Sequence, residues 1–201
     1  APVNLDVVRH ARAVLERNGV AVAETRTGDY RVTLDTRAEI ARNLAPRAFV
    51  SVHHNAEPDG RHDGPGTETY YQQGSAESKR LAGLIYEEVF RALSAYQATW
   101  VADTDAGAKY RPGRRGDYYA VLRLPAPVTS VLAELAFISN PSEAELLARA
   151  DVRAVEGEAV ARGILRWLRT DDPGSGFTIP YPRVDPPGGP SGPGVCVDPP
   201  L

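Results

Sequence analysis

Two adjacent histidines and an asparagine close the stretch AFVSVHHN, residues 48–55, after which the chain turns polar and glycine-rich. A second short apolar stretch, SVLAELAFIS, carries one carboxylate, Glu134, in an otherwise hydrophobic run. These are the residue types for proton transfer beside a metal. A neutral imidazole held at a strand end is a natural zinc ligand, and a nearby carboxylate can take a proton from an attacking water. Burying Glu134 unpaired would cost on the order of several kcal/mol, so it needs a partner or a task. The plain alternative for His53 is a hydrogen-bonded histidine at a strand end. On a strand His54 points to the face opposite His53, where a structural or solvent-facing role is expected. His10, in the first helical pattern, and His62, in a glycine-rich loop, read as surface residues.

The elements around these residues follow from pattern. VNLDVVRHARAVLERNG has apolar residues at helical spacing, with Asn4 as its expected cap and Gly19 as its end. VAVAETRT alternates like a strand. TLDTRAEIARNLA is a second helix with Thr33 and Thr36 as rival caps. AFVSVHHN and GTETYYQQ read as strands, and SAESKRLAGLIYEEVFRALSAY as a long amphipathic helix. The polar, glycine-rich run at residues 104–116 reads as a long mobile loop. SVLAELAFIS resembles a strand covered on both faces. NPSEAELL then starts a helix with Asn140 as cap and Pro141 at its first position, and a last helix runs through AVEGEAVARGILRWL.

Strands alternating with helices imply a single α/β domain with a mostly parallel central sheet flanked by helices. In such sheets ligands gather at the carboxyl ends of strands, where His53 and Glu134 are expected to meet. The pattern stops after Thr170. The last 31 residues hold nine prolines and six glycines, so a domain over residues 1–170 and a tail over 171–201 are expected.

Composition narrows the function. The 201 residues are 42% hydrophobic, enough for one core. The net charge of −3 and the absence of a basic block give no footprint for nucleic acid. No apolar run approaches a membrane span. The lone Cys196 has no internal partner. No methionine occurs, as expected of a processed or trimmed piece of a longer product. No G-x-G-x-x-G or G-x-x-x-x-G-K-[ST] loop supports a nucleotide-binding reading.

FVSVHHNA, GTETYY and YYAVLRLPAPVTSVLAELAFISNPSEAELL together resemble the zinc-dependent N-acetylmuramoyl-L-alanine amidases of the amidase type 3 family, with the likeness covering about residues 3–169. The resemblance implies a phosphorylase/hydrolase-like fold and a bacterial cell-wall hydrolase that cuts between the glycan lactyl group and the first stem-peptide alanine. It implies Zn2+ as cofactor, peptidoglycan as partner, and export to the cell envelope or beyond. His53 matches a zinc ligand in the S-(I/V)-H-x-N motif, and Glu134 matches the catalytic glutamate. Asn55 and Arg123 match positions near the site. The family's other two ligands, a histidine in a G-H-G motif and a glutamate shortly before the first helix, have no counterpart in the sequence and are expected upstream of Ala1. Two readings therefore stand: an amidase, or a degenerate homologue that binds peptidoglycan or regulates another protein.

Overall fold

The computed structural model describes residues 2–56, 66–96 and 107–178. Helix α1, Pro2–Arg17, leads to α2, Leu34–Leu44, and strand β1, Phe49–Asn55. Strand β2, Glu68–Tyr71, precedes the long helix α3, Ala76–Leu93. Three short strands follow: β3, Gly107–Lys109, then β4, Pro112–Gly113, and β5, Gly116–Asp117. Helix α4, Ala120–Arg123, strand β6, Ser130–Phe137, and helices α5, Pro141–Ala148, and α6, Ala150–Arg169, complete the domain.

The main sheet runs in the order β1-β6-β2-β3. β1 and β6 pair in parallel, as do β2 and β3, while β2 runs against β6. The expected α/β architecture is present, and two of these three pairings are parallel. β4 and β5 form a separate two-stranded ribbon.

The two faces of the sheet are covered unequally. Beneath one face lies the larger core, with Val131, Ala133 and Leu135 of β6 against Leu81, Leu84 and Ile85 of α3 and Val160 of α6. Each fully buried leucine or isoleucine here contributes about 1.5–3 kcal/mol. Helix α6 comes close to two neighbours through glycines. A Cβ at Gly157 would lie 2.4 Å from the Val7 carbonyl oxygen of α1, and one at Gly163 would lie 2.7 Å from the Ile85 Cα of α3. The opposite face has a smaller cluster, in which Tyr70 and Leu132 meet Val121 and Leu122 of the single-turn α4.

Local signals worked where they were answered locally. Thr33, not Thr36, caps α2, its side chain accepting from the Thr36 amide at 3.1 Å. Asn140 caps α5, accepting from Ser142 and Glu143. Gly19, at φ 78°, turns the chain out of α1.

Four expectations are corrected. α1 begins at Pro2, ahead of Asn4, and the Asn4 side chain engages His54 instead of capping the helix. Residues 20–27 pack Val20 and Val22 on the core but join no ladder among the described residues. The run at 104–116, expected to be a mobile loop, contains β3, whose three residues are all buried, and most of the β4–β5 ribbon; residues 97–106 lie outside the described residues, as does His62. The packed chain also continues beyond Thr170. A parallel bridge joins Phe177 to Ala108, so at least residues 174–178 lie on the domain.

Candidate active site

The site begins with the register of the central strands. His53 of β1 is the cross-strand partner of Glu134 of β6, and Glu134 is the partner of Glu68 of β2. Partners in register project to the same face, so an imidazole and two carboxylates form a row across three strands. The row lies near the carboxyl end of β1 and where β2 begins. Just beyond it the β1–β6 register shifts between His53 and Asn55. Such an irregularity re-aims side chains at a strand end.

The members of the row are held differently. Glu68 is 1% exposed and fully engaged. Its Oε1 takes the Lys109 ammonium at 2.6 Å, while Oε2 accepts from Asn55 Nδ2 at 2.7 Å and Tyr70 Oη at 3.1 Å. Lys109, in β3, is buried with it, which makes this a desolvated and compensated ion pair. Glu134 is the opposite case: its Oε2 is buried with no hydrogen-bond partner among the described residues. Burial, and secondly the nearby Glu68 charge, push its carboxyl up to about 8.

His53 is exposed at its rim, yet surrounding protein is the first cause pushing its imidazole down, to about 4. Arg37, His54 and Arg26 act in the same direction. The exposed rim weakens the share due to burial, but the sign also rests on the Arg37 and Arg26 guanidiniums. A neutral ring with an available lone pair is what a metal ligand or proton acceptor requires.

Asn55 is brought to the row through Glu68. Arg123 is not: its guanidinium donates to the Asp117 and Tyr118 carbonyl oxygens at 2.5 and 3.2 Å and braces the chain ahead of α4. His54 turns to the other face, its Nδ1 2.8 Å from Asn4 Oδ1 and its Nε2 3.2 Å from Glu156. Its side chain and that of Glu156 are 2% and 0% exposed. The expected structural role for His54 fits this setting. His10 is exposed, 3.9 Å from Asp6.

Sequence reasoning did not single out Glu68, Lys109 or Tyr70. Glu68 carried the signal already applied to Glu134, a carboxylate inside an aromatic and β-branched strand. Lys109 carried none, since its burial depends on a partner 41 residues away. Tyr70 packs against Tyr119 in a tilted pair with ring centroids 4.7 Å apart, and Arg111 lies 3.8 Å above the Tyr118 ring. Aromatic and cationic groups thus wall the site beyond Glu68.

Among the described residues, no group of three or more His, Cys, Asp or Glu could hold a metal ion. His53 offers one of the several ligands a zinc ion requires. The described residues alone therefore do not complete a zinc site.

Comparison with known proteins supplies a context for this row. Residues 1–166 match the family described as N-acetylmuramoyl-L-alanine amidase. Uncharacterized protein YqiI of Bacillus subtilis is 31% identical over 164 residues, covering 81% of this chain and 71% of that protein. The N-acetylmuramoyl-L-alanine amidase LytC of the same organism is 29% identical over 169 residues, 83% of this chain but only 31% of LytC. Among solved structures, the CwlD amidase from Clostridioides difficile, in complex with the GerS lipoprotein, aligns with a TM-score of 0.69 at 26% identity, covering 83% of this chain and 85% of that one. The amidase AmiC2 of Nostoc punctiforme aligns with a TM-score of 0.69 at 28% identity, covering 84% and 83%.

Proposed function

Since the chain belongs to the N-acetylmuramoyl-L-alanine amidase family of hydrolases, we propose that it cleaves the amide bond joining muramic acid to L-alanine in peptidoglycan, with Glu134 moving the proton. The observation that carries this reading is the row His53–Glu134–Glu68, in which the half-buried middle carboxylate stands beside His53 and keeps one buried oxygen without a partner among the described residues.

Amide hydrolysis needs a group that takes a proton from water and returns one to the leaving amine. Glu134 is placed for both. Its orphaned oxygen has no competing donor among the described residues, and its raised pKa favours the protonated form needed to release the amine. Glu68 is unsuited to the task because Lys109, Asn55 and Tyr70 already occupy its oxygens. Its part is to hold Asn55 and the row in place. We further propose His53 as a zinc ligand, supported by its neutral ring and its place at the strand end. The remaining ligands would have to come from outside the described residues, and no step here is routed through the metal. A bound zinc would polarise the scissile carbonyl and acidify water. The substrate places the work in the cell envelope or outside the cell. No described helix is long and apolar enough to cross a membrane.

One observation favours the second reading, a peptidoglycan-binding or regulatory homologue that does not cleave: the described residues supply a single candidate ligand. Glu134→Gln separates the two. Glutamine keeps the size but cannot accept the proton, so muramyl-peptide cleavage should fall by roughly 10²–10⁴-fold with zinc content unchanged. His53→Ala should lose zinc and activity together. Unchanged cleavage in the glutamine variant would remove Glu134 from the mechanism. A parent protein that binds muramyl peptides, takes up no zinc and cleaves nothing would establish the second reading.

A further inference from the structure

The site row does not end at Glu68. Continuing across the sheet, Glu68 pairs in register with Gly107 of β3, and Tyr70 pairs with Lys109. β3 is three residues long, and it carries the ammonium that neutralises Glu68. So short an edge strand holds few ladder bonds, and strands of this kind open first when a fold fluctuates. Its outer edge is covered by residues 174–178. The Ala108 amide donates to the Gly176 carbonyl at 2.9 Å, and the Thr178 amide returns a bond to the Ala108 carbonyl at 3.0 Å.

This segment is anchored by packing. The Phe177 ring sits where a Cβ on Gly83 of α3 would come within 2.7 Å of it. It meets Tyr71 of β2 edge-on at 6.3 Å and lies 4.6 Å beneath the Lys79 ammonium. Gly176, at φ 75°, passes so close to Tyr86 that a Cβ there would be 2.2 Å from the ring. Gly107 shows the same closeness from the other side, since a Cβ on it would lie 2.6 Å from the Gly176 carbonyl oxygen. Glycines at 83, 107 and 176 thus let segment, strand and helix approach one another.

We infer that residues 174–178 are a positioning strap for the candidate active site: by closing the outer edge of β3 they hold Lys109 against Glu68, beside Glu134. Lys109 and Phe177 are positioning residues, acting through Glu68. The effect on catalysis rests on the amidase reading; the effect on β3 does not.

The test uses the full chain with Phe177→Ala, and separately Thr178→Pro, which deletes one strap bond while leaving the aromatic anchor. Amide hydrogen exchange is read at Ala108 and Thr178, whose bonds face the strap, and at Gly107, whose amide donates to Thr67 on the β2 side at 3.1 Å. If the strap holds β3, both variants speed exchange at Gly107 as well as at the two strap bonds. In the active enzyme kcat should fall by about 10- to 100-fold, the scale of a small misplacement in an active site. Adding Phe177→Ala to Lys109→Met should then cost little more, because both act through one contact. Fast exchange confined to Ala108 and Thr178, with Gly107 still protected, would overturn the proposal, as would additive losses in the double variant. Should Lys109→Met fail to fold, the Gly107 exchange decides alone. A parent protein without cleavage would count against the amidase reading and leave the exchange result to judge the strap.

Discussion

His53 and His54 are neighbours in sequence, yet the sheet sends them into opposite environments. On the thickly covered face, His54 lies between Asn4 of α1 and Glu156 of α6, nearly inaccessible and bonded at both ring nitrogens. On the thinly covered face, His53 is exposed at its rim and stands beside a carboxylate with one oxygen unpartnered among the described residues. The first arrangement engages both ring nitrogens; the second leaves capacity unused. A buried group with an unmet bond is destabilising, so it persists where another gain offsets it. The difference teaches where stability and the proposed activity would reside: one sheet carries both, separated by the alternation of side chains along β1.

Substituting the two histidines separately is the sharpest way to break this comparison. His54→Ala should cost about 3–5 kcal/mol, because it strands Glu156 in the core without its partner. For a domain of this size that corresponds to a fall in Tm of roughly 6–20 °C in thermal unfolding. Compared without added metal, His53→Ala should leave Tm within about 2 °C, as surface changes usually do, while abolishing cleavage when zinc is supplied. Equal melting temperatures for the two variants would mean that the faces do not divide the labour.

The divide was partly legible in the sequence. Helices α3, α5 and α6 and the strands at 49–55, 68–71 and 130–137 followed from periodicity, caps and β-branched runs, since their signals lie within a few residues. Asn4 shows the limit. It has the residue type of a helix cap, but a histidine 50 positions away claims its side chain. The alternation at residues 20–27 describes exposure correctly, yet a strand also requires a partner. β3 and Lys109 were hidden for the same reason, since a lysine reads as exposed until Glu68 stands opposite it. At the site, the two residues with the clearest chemistry, His53 and Glu134, were legible because each breaks an apolar run. Glu68 broke one as well and was passed over.

The thick face can be tested where α6 crosses α1. Gly157→Ala puts a methyl group 2.4 Å from the Val7 carbonyl and 2.6 Å from His10 Cβ. Backbone on both sides leaves no flexible side chain to give way, so about 3 kcal/mol of overpacking is expected. Denaturant unfolding should show the lower midpoint, while kcat of the folded enzyme stays unchanged because the crossing lies behind the sheet. A variant as stable as the parent would mean that α1 can shift, and that the thick face is looser than its packing implies.

The last test sits at the far end of the same face. Glu143 is fully buried, its Oε2 accepting from the Phe137 amide at 2.6 Å while Oε1 has no partner among the described residues. Burial raises its carboxyl to about 7, the Phe137 bond opposes the rise, and the Glu156 charge adds to it. The ionisable groups bearing on it are Glu156 of α6 and, through Glu156, His54 of β1. A carboxyl that binds its proton more tightly when folded contributes stability that is complete below its unfolded pKa, about 4.5. That contribution is lost as pH rises through about 7. Glu143→Gln should keep the Phe137 bond and remove the titration. The difference in stability between variant and parent should therefore move by about 3 kcal/mol from pH 4.5 to 7.5 in the variant's favour, then stay level. Urea midpoints measured across that range read it directly. A difference that is flat, or that grows toward acid, would show that Glu143 is ionised in the folded protein, and that the thick face leaves room for an unmet charge after all.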